Sequence, residues 1–205
     1  MDMNFILAGV GGQGTILASK LLAQAAMDKG QNVRTAETIG MAQRGGCVVS
    51  HVRIGENIHS PMVPKHSASL IIGFEPAEAV RCLPFLKKDG VVVVCSTAIR
   101  PVTSSLGDSS YESAAMISFL ETNSGKLIVI DGDQICSECG SPKVLNVALL
   151  GAAFASGDLG LSIDEIGAAI RERVSPAYTE MNQQALAAGA CAAEAQASGN
   201  GRNFL

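Results

Sequence analysis

Apolar and polar positions along this 205-residue chain switch between two periods. Residues 4–8 form a short apolar run ending in glycines, and residues 15–29 then repeat apolar positions at helical spacing, closed by Gly30. Residues 33–37 and 47–54 read as strands, the second half exposed because Ser50, His51 and Arg53 interrupt it. Residues 70–73 read as a brief buried strand, and Pro76 stands where a first helical turn favours it, opening a helix that reaches Leu86. The run 91–95 is β-branched up to its Cys, as a strand buried on both faces would be. A polar loop at 96–110, a helix at 111–122 and a strand at 126–130 follow. Beyond Asp131 the pattern is helical, at 142–156, 163–174 and, rich in Ala, 176–197.

Strands alternating with helices predict an α/β fold whose largely parallel sheet is covered on both faces. No repeat and no linker interrupts the pattern, so residues 1–197 read as one domain and 198–205 as a frayed tail. Ligands of such sheets bind outside the carboxyl ends of the strands. Segments 9–14, 38–46, 74–75 and 96–110 can share that edge, although mixed strand directions would move some away.

Composition narrows the function. A chain that is 47% hydrophobic at this length builds one substantial core, and with no Trp and 4% aromatics that core is aliphatic. The same scarcity of aromatics argues against base-stacking platforms, and a net charge of −4 supplies no general field for nucleic acid or membrane surfaces. No run approaches the roughly 18 apolar residues of a membrane span. The start Met-Asp-Met-Asn-Phe lacks the basic residues of a secretory leader. Cysteines 47, 82, 95, 136, 139 and 191 fall mostly in apolar elements, the usage of reduced thiols, and a cytoplasmic protein is expected.

The segment joining the strands at 33–37 and 47–54 is the most informative. It carries Gly40, Met41, Gln43, Arg44, Gly45 and Gly46, where an ordinary connection would be shorter and rich in Asn, Asp, Pro and Ser. Glycines let another backbone or a ligand approach closely, and Arg offers a planar fork of donors for an anion. Such a loop is built to be covered. Gly9, Gly11, Gly12 and Gly14 satisfy G-x-G-x-x-G between a strand and a helix, with Glu37 near where a ribose-binding acid belongs. That motif has two readings, a dinucleotide or phosphate cradle and a tight turn that lets helix and sheet pack closely. Glu75 either starts the helix at Pro76 or points at the edge that holds Arg44.

Other signals are weaker. Cys136 and Cys139 form C-x-x-C without a second pair or a His at metal spacing, and read as two incidental thiols, with a redox role or a site shared with a partner as the alternative. His51, His59 and His66 show no ligand spacing and read as surface or capping groups. The 96–110 loop, with Arg100, reads as a solvated connection or a phosphate contact. No G-x-S-x-G elbow and no P-loop Lys are present.

Taken with the run Ser50-His51-Val52-Arg53-Ile54-Gly55, the two glycine segments resemble the gamma subunit or domain of 2-oxoacid:ferredoxin oxidoreductases, nearest to the small beta subunit of indolepyruvate oxidoreductase. The match continues through Gly73-Phe74-Glu75-Pro76, Ala79-Val80-Arg81, the strand at 91–95 and Asn146-Val147-Ala148-Leu149-Leu150-Gly151, with Asn182, Ala185 and Gly189 beyond. It implies a three-layer Rossmann-like domain inside a larger enzyme. In that family thiamine diphosphate, with its magnesium, attacks the 2-oxoacid carbonyl, carbon dioxide leaves, 4Fe–4S clusters pass electrons to ferredoxin, and coenzyme A takes the acyl group. Those cofactors are expected on partner subunits, with this chain inactive alone and a homodimer open to it when isolated. The residues agree: Asp131-Gly132-Asp133 lacks the leading Gly of a thiamine signature, and Asn146 follows too soon. Two departures touch substrate type and partner contacts. His66-Ser67-Ala68-Ser69 replaces a Gly-acidic-Ala-Asp run, and Gly132 with the C-x-x-C replaces an alanine-rich stretch.

Overall fold

In the computed structural model, which describes residues 2–40, 45–99 and 111–199, six strands form one sheet. They are β1 (Met3–Val10), β2 (Val33–Ile39), β3 (Cys47–Ile54), β4 (Ala68–Gly73), β5 (Leu86–Cys95) and β6 (Lys126–Ile130), in the order β2-β3-β1-β4-β5-β6. β1, β4, β5 and β6 run parallel, whereas β3 lies antiparallel between β1 and β2.

Successive strand residues point to opposite faces, so the continuous apolar strands feed two cores. Phe5, Leu7, Leu70, Ile72 and Val93 pack on one face against α1 (Thr15–Asp28), α5 (Leu145–Phe154), α6 (Ile163–Arg173) and α7 (Pro176–Ala197). Ile6, Ala8, Ile71, Val92 and Val94 meet α2 (Pro76–Cys82) and α3 (Ser113–Asn123) on the other. The expected three layers are therefore present. α5 is apolar all round because it lies wholly inside, between the sheet and α7.

Local chemistry sets the element ends. Gly30 takes φ 73° after α1, and Ser162 with Glu165 forms a reciprocal capping box on α6. The Glu75 carboxylate accepts the Glu78 N–H at 3.1 Å and starts α2 before Pro76.

The structure corrects four expectations. β3 is not half exposed: Ser50 is buried on the face that α1 covers, and His51 on the other, where residues 56–67 fold back and the Val63 N–H donates to His51 Nδ1 at 3.2 Å. The helix opened by Pro76 stops at Cys82, followed by a 3-10 turn at Leu83–Phe85, and β5 starts at Leu86 rather than 91. A helix, α4 (Gly132–Glu138), follows Asp131 where none was expected, and the Asp131 carboxylate caps it by accepting the Gln134 N–H. The helix expected from 142 opens as a 3-10 turn at Pro142–Val144 and becomes α-helical at Leu145.

Candidate functional site

Strand direction decides which loops meet. Because β3 opposes its neighbours, the end of β2 and the start of β3 lie at the edge where β1, β4 and β5 finish. The β2–β3 hairpin, the glycine loop after β1 and the Phe74–Glu75 turn thus share one sheet edge, and β5 ends there at Cys95.

The hairpin and the glycine loop are bonded to each other. The Gly11 N–H donates to the Gly46 carbonyl at 2.9 Å, and the Gly40 N–H donates to the Cys47 carbonyl at 2.8 Å. A Cβ on Gly40 would lie 3.2 Å from the Cys47 backbone, so this narrow base favours glycine. Gly45 takes φ 72°, a left-handed turn that costs other residues strain. Met41, Gln43 and Arg44 lie outside the described residues, as does the loop from 100 to 110.

The first loop is filled by the chain's own groups. Gln13 lies across it, its Oε1 accepting the Val10 N–H and its Nε2 donating to the Phe74 carbonyl, both at 2.8 Å. Gly9 is inside β1, where a Cβ would come within 2.8 Å of Gln13 Oε1 and Phe74. Gly14 begins α1 at φ 81°, with Asn146 Nδ2 against it and donating to its carbonyl at 3.3 Å. Gly12, at φ 102°, is open to solvent. The first helical bond of α1 runs from the Ala18 N–H to the Gly14 carbonyl, so the N–H groups of residues 15–17 have no partner inside the helix.

This architecture weakens the dinucleotide alternative. In a Rossmann nucleotide site the acid ends the strand beside β1. Here β3 intervenes, setting β2 about 10 Å from β1 instead of one strand spacing of about 4.8 Å. Glu37 instead meets Ser19 Oγ at 3.4 Å, in the second turn of α1.

Glu75 stands at the shared edge with its side chain turned inward and 2% exposed. It caps α2 and accepts a short hydrogen bond from the Tyr111 hydroxyl, which itself accepts the Ala77 N–H at 3.3 Å. Burial, then the hydrogen bond to Glu75, pushes the Tyr111 phenol well above its ordinary pKa. Tyr111 was only the first residue of an expected helix, and Gln13 an unspecified position of the fingerprint. No local pattern marks either, since their partners lie 36 and 61 residues away.

The described residues do not suit the family's cofactors. No three His, Cys, Asp or Glu side chains among them gather into a set that could hold a metal. Burial, then nearby Cys95, Asp133 and Cys139, pushes the Cys136 thiol up to about 11. Burial and Glu138 also raise Cys139. Two thiols without further ligands beside them are half of the four-cysteine set that a cluster takes. Asp131 is occupied as a helix cap, and Gly132 is packed against Cys95 and Leu145. Of the other sequence candidates, His59 and His66 are exposed and His51 is buried. None of the described helices is long and apolar enough to cross a membrane.

A family model described as pyruvate ferredoxin/flavodoxin oxidoreductase matches residues 4–192. The chain belongs to this family. Its similarity to indolepyruvate oxidoreductase subunit IorB of Pyrococcus horikoshii is 36% identity over 195 residues, covering 94% of this chain and 96% of the relative. In fold it resembles the keto/oxoacid ferredoxin oxidoreductase gamma subunit of Geobacter sulfurreducens PCA, with a TM-score of 0.69 at 22% identity over 94% of this chain and 99% of that one. It also resembles part of the 2-oxoglutarate:ferredoxin oxidoreductase of Magnetococcus marinus, with a TM-score of 0.71 at 21% identity. There it covers 95% of this chain but 31% of the other, so this chain has the fold of a segment of a longer polypeptide. The resemblance drawn from the glycine segments is thus the family to which the oxidoreductase chain belongs.

Proposed function

We propose that this chain is the small subunit of a 2-oxoacid:ferredoxin oxidoreductase of the indolepyruvate or arylpyruvate type, inactive alone. A larger partner carries thiamine diphosphate with its magnesium and the 4Fe–4S clusters. The assembled enzyme decarboxylates the 2-oxoacid, hands electrons to ferredoxin and delivers the acyl group to coenzyme A. This chain contributes shape and contacts, not the reacting cofactor.

One observation carries the reading: the hairpin base is tied to the glycine loop by the Gly11–Gly46 hydrogen bond, beside apolar side chains left in water. Ile39 ends β2 at 61% exposure and Leu17, in the first turn of α1, is 39% exposed. Large apolar groups beside close-approach glycines are what an obligate interface of about 2,000 Å² or more places at its centre. Arg44 stands between Gly40 and Gly45 in sequence and is our candidate for an anion contact at that interface, with Met41 and Gln43 beside it. Glu75 acts from behind by fixing the start of α2. Gly9, Gly11, Gly12 and Gly14 shape the first loop, where exposed Gly12 and the first N–H groups of α1 are our candidate contacts for an anionic group of coenzyme A.

Reconstitution with the partner subunit tests this. Arg44→Ala should leave the circular dichroism spectrum unchanged and lower turnover of the assembled enzyme at least tenfold, about 1.4 kcal/mol. Oxoacid decarboxylation by the isolated chain would overturn the reading.

A further inference from the structure

The sheet edge opposite the hairpin carries an open groove of about 650 Å³. The chain brings four segments together there, at the amino ends of β4, β5 and β6. His66 precedes β4, Leu83 belongs to the 3-10 turn after α2, Lys87 and Lys88 follow the first residue of β5, and Phe119 with Asn123 ends α3. Leu83 and Phe119 supply apolar lining, while Lys87, Lys88 and His66 supply its basic groups. No carboxylate lines it.

An irregularity in the sheet places the lysines. Ala68 pairs with Leu86, but the next pair is Leu70 with Val91, so residues 87–90 leave the ladder and Lys87 and Lys88 reach the groove. His66 is the one non-glycine residue among those described with a positive φ, at 58°. Its N–H donates to the Pro84 carbonyl at 3.0 Å, and the Ser67 N–H donates to the Phe85 carbonyl at 2.9 Å. Two backbone bonds thus hold a conformation that such residues seldom adopt, the kind of constraint that recurs at ligand sites. Among the described residues neither lysine has an ion-pair partner. Phe119 is 51% exposed.

We propose that this groove binds a small amphipathic anion, an aryl or alkyl body ending in a carboxylate or phosphate. The body covers Leu83 and Phe119, and the head group accepts hydrogen bonds from Lys87 and Lys88 beside His66. The volume lies within the range of about 300–1,000 Å³ usual for small-molecule sites, which favours such a ligand over a protein surface. The site lies on the sheet edge away from the hairpin and does not depend on the proposed subunit role.

Calorimetric titration of the full chain with octanoate and with octyl phosphate tests the site, with octylammonium as the reversed-charge control. Saturable one-to-one binding of either anion is expected, with no binding of octylammonium. The Lys87→Gln/Lys88→Gln double variant and Phe119→Ser should each weaken it at least tenfold without altering the circular dichroism spectrum; whichever anion binds more tightly identifies the head group. Absence of saturable anion binding, affinity indifferent to both variants, or equal binding of octylammonium would overturn the assignment. Lysine-dependent binding of an acidic peptide without binding of either anion would overturn it too, giving the groove to a protein partner.

Discussion

Gln13 donates from Nε2 to the Phe74 carbonyl at 2.8 Å while its Oε1 accepts the Val10 N–H, so one amide ties the glycine loop to the ends of β1 and β4. Gln13→Ala strands both backbone groups in a partly buried site. The expected cost is about 1–3 kcal/mol, read from the urea midpoint of the isolated chain. A change under about 0.5 kcal/mol would mean that water satisfies both groups and that the amide is not a staple.

α5 and α7 cross through glycine. A Cβ on Gly189 would overlap the Ala148 carbonyl, and one on Gly151 the Leu186 carbonyl, both backbone atoms that cannot rotate away. Gly189→Ala is expected to lose about 3 kcal/mol as the helices are forced apart. Gly167→Ala is the contrast. Its Cβ would meet the Gln183 amide oxygen at 3.1 Å, a movable side-chain end, and the better helix propensity of Ala offsets the crowding. Its stability should stay within about 1 kcal/mol of the parent, again by chemical denaturation.

His51 predicts a pH dependence. Burial holds its pKa below the ordinary 6.5. The ring accepts the Val63 N–H and meets Phe85 edge-on at 5.5 Å between centroids. As pH falls through 6.5 the unfolded chain takes up this proton before the folded chain does, so stability declines. Glu78 acts with the opposite sign. Burial raises its pKa against the pull of Arg81, so its contribution declines as pH rises from 4.5. His51→Asn should therefore flatten the loss of stability between pH 6.5 and about 5, while the Glu78 component persists. Parallel stability–pH curves for the two proteins would assign the dependence elsewhere.

Ile39 tests the interface without touching the core. Ile39→Asp places a charge on a side chain that is 61% exposed at the end of an edge strand. Co-purification with the partner subunit should fall more than tenfold, with the thermal midpoint of the isolated chain nearly unchanged. Equal recovery of the complex would move the docking face off this edge.

Much of the fold was legible because its elements carry dense local signals. β3, β6 and α7 fall at their expected limits, and the other expected helices and strands appear with shifted ends. α4 was missed because Asp131 as a helix cap sits beside Gly132, a poor helix former, and seven residues hold too little periodicity. β3 was misjudged because polar Ser50 and His51 look exposed until α1 covers one face of the strand and residues 56–67 the other. At the candidate site the sequence marked the glycines, of which Gly40 lies close to the Cys47 backbone and Gly45 takes a left-handed turn in open space. The two side chains that organise that edge, Gln13 and Tyr111, were not marked.

By itself the sequence determined the α/β alternation, the family and the glycines at the shared edge, because periodicity and turn chemistry are properties of neighbouring residues. Only the tertiary structure decided that β3 runs antiparallel between β1 and β2. That insertion carries Glu37 away from a nucleotide-binding position and brings Gly46 to Gly11. Strand order and direction depend on which distant surfaces bury each other, a choice made by the whole core and written in no single segment.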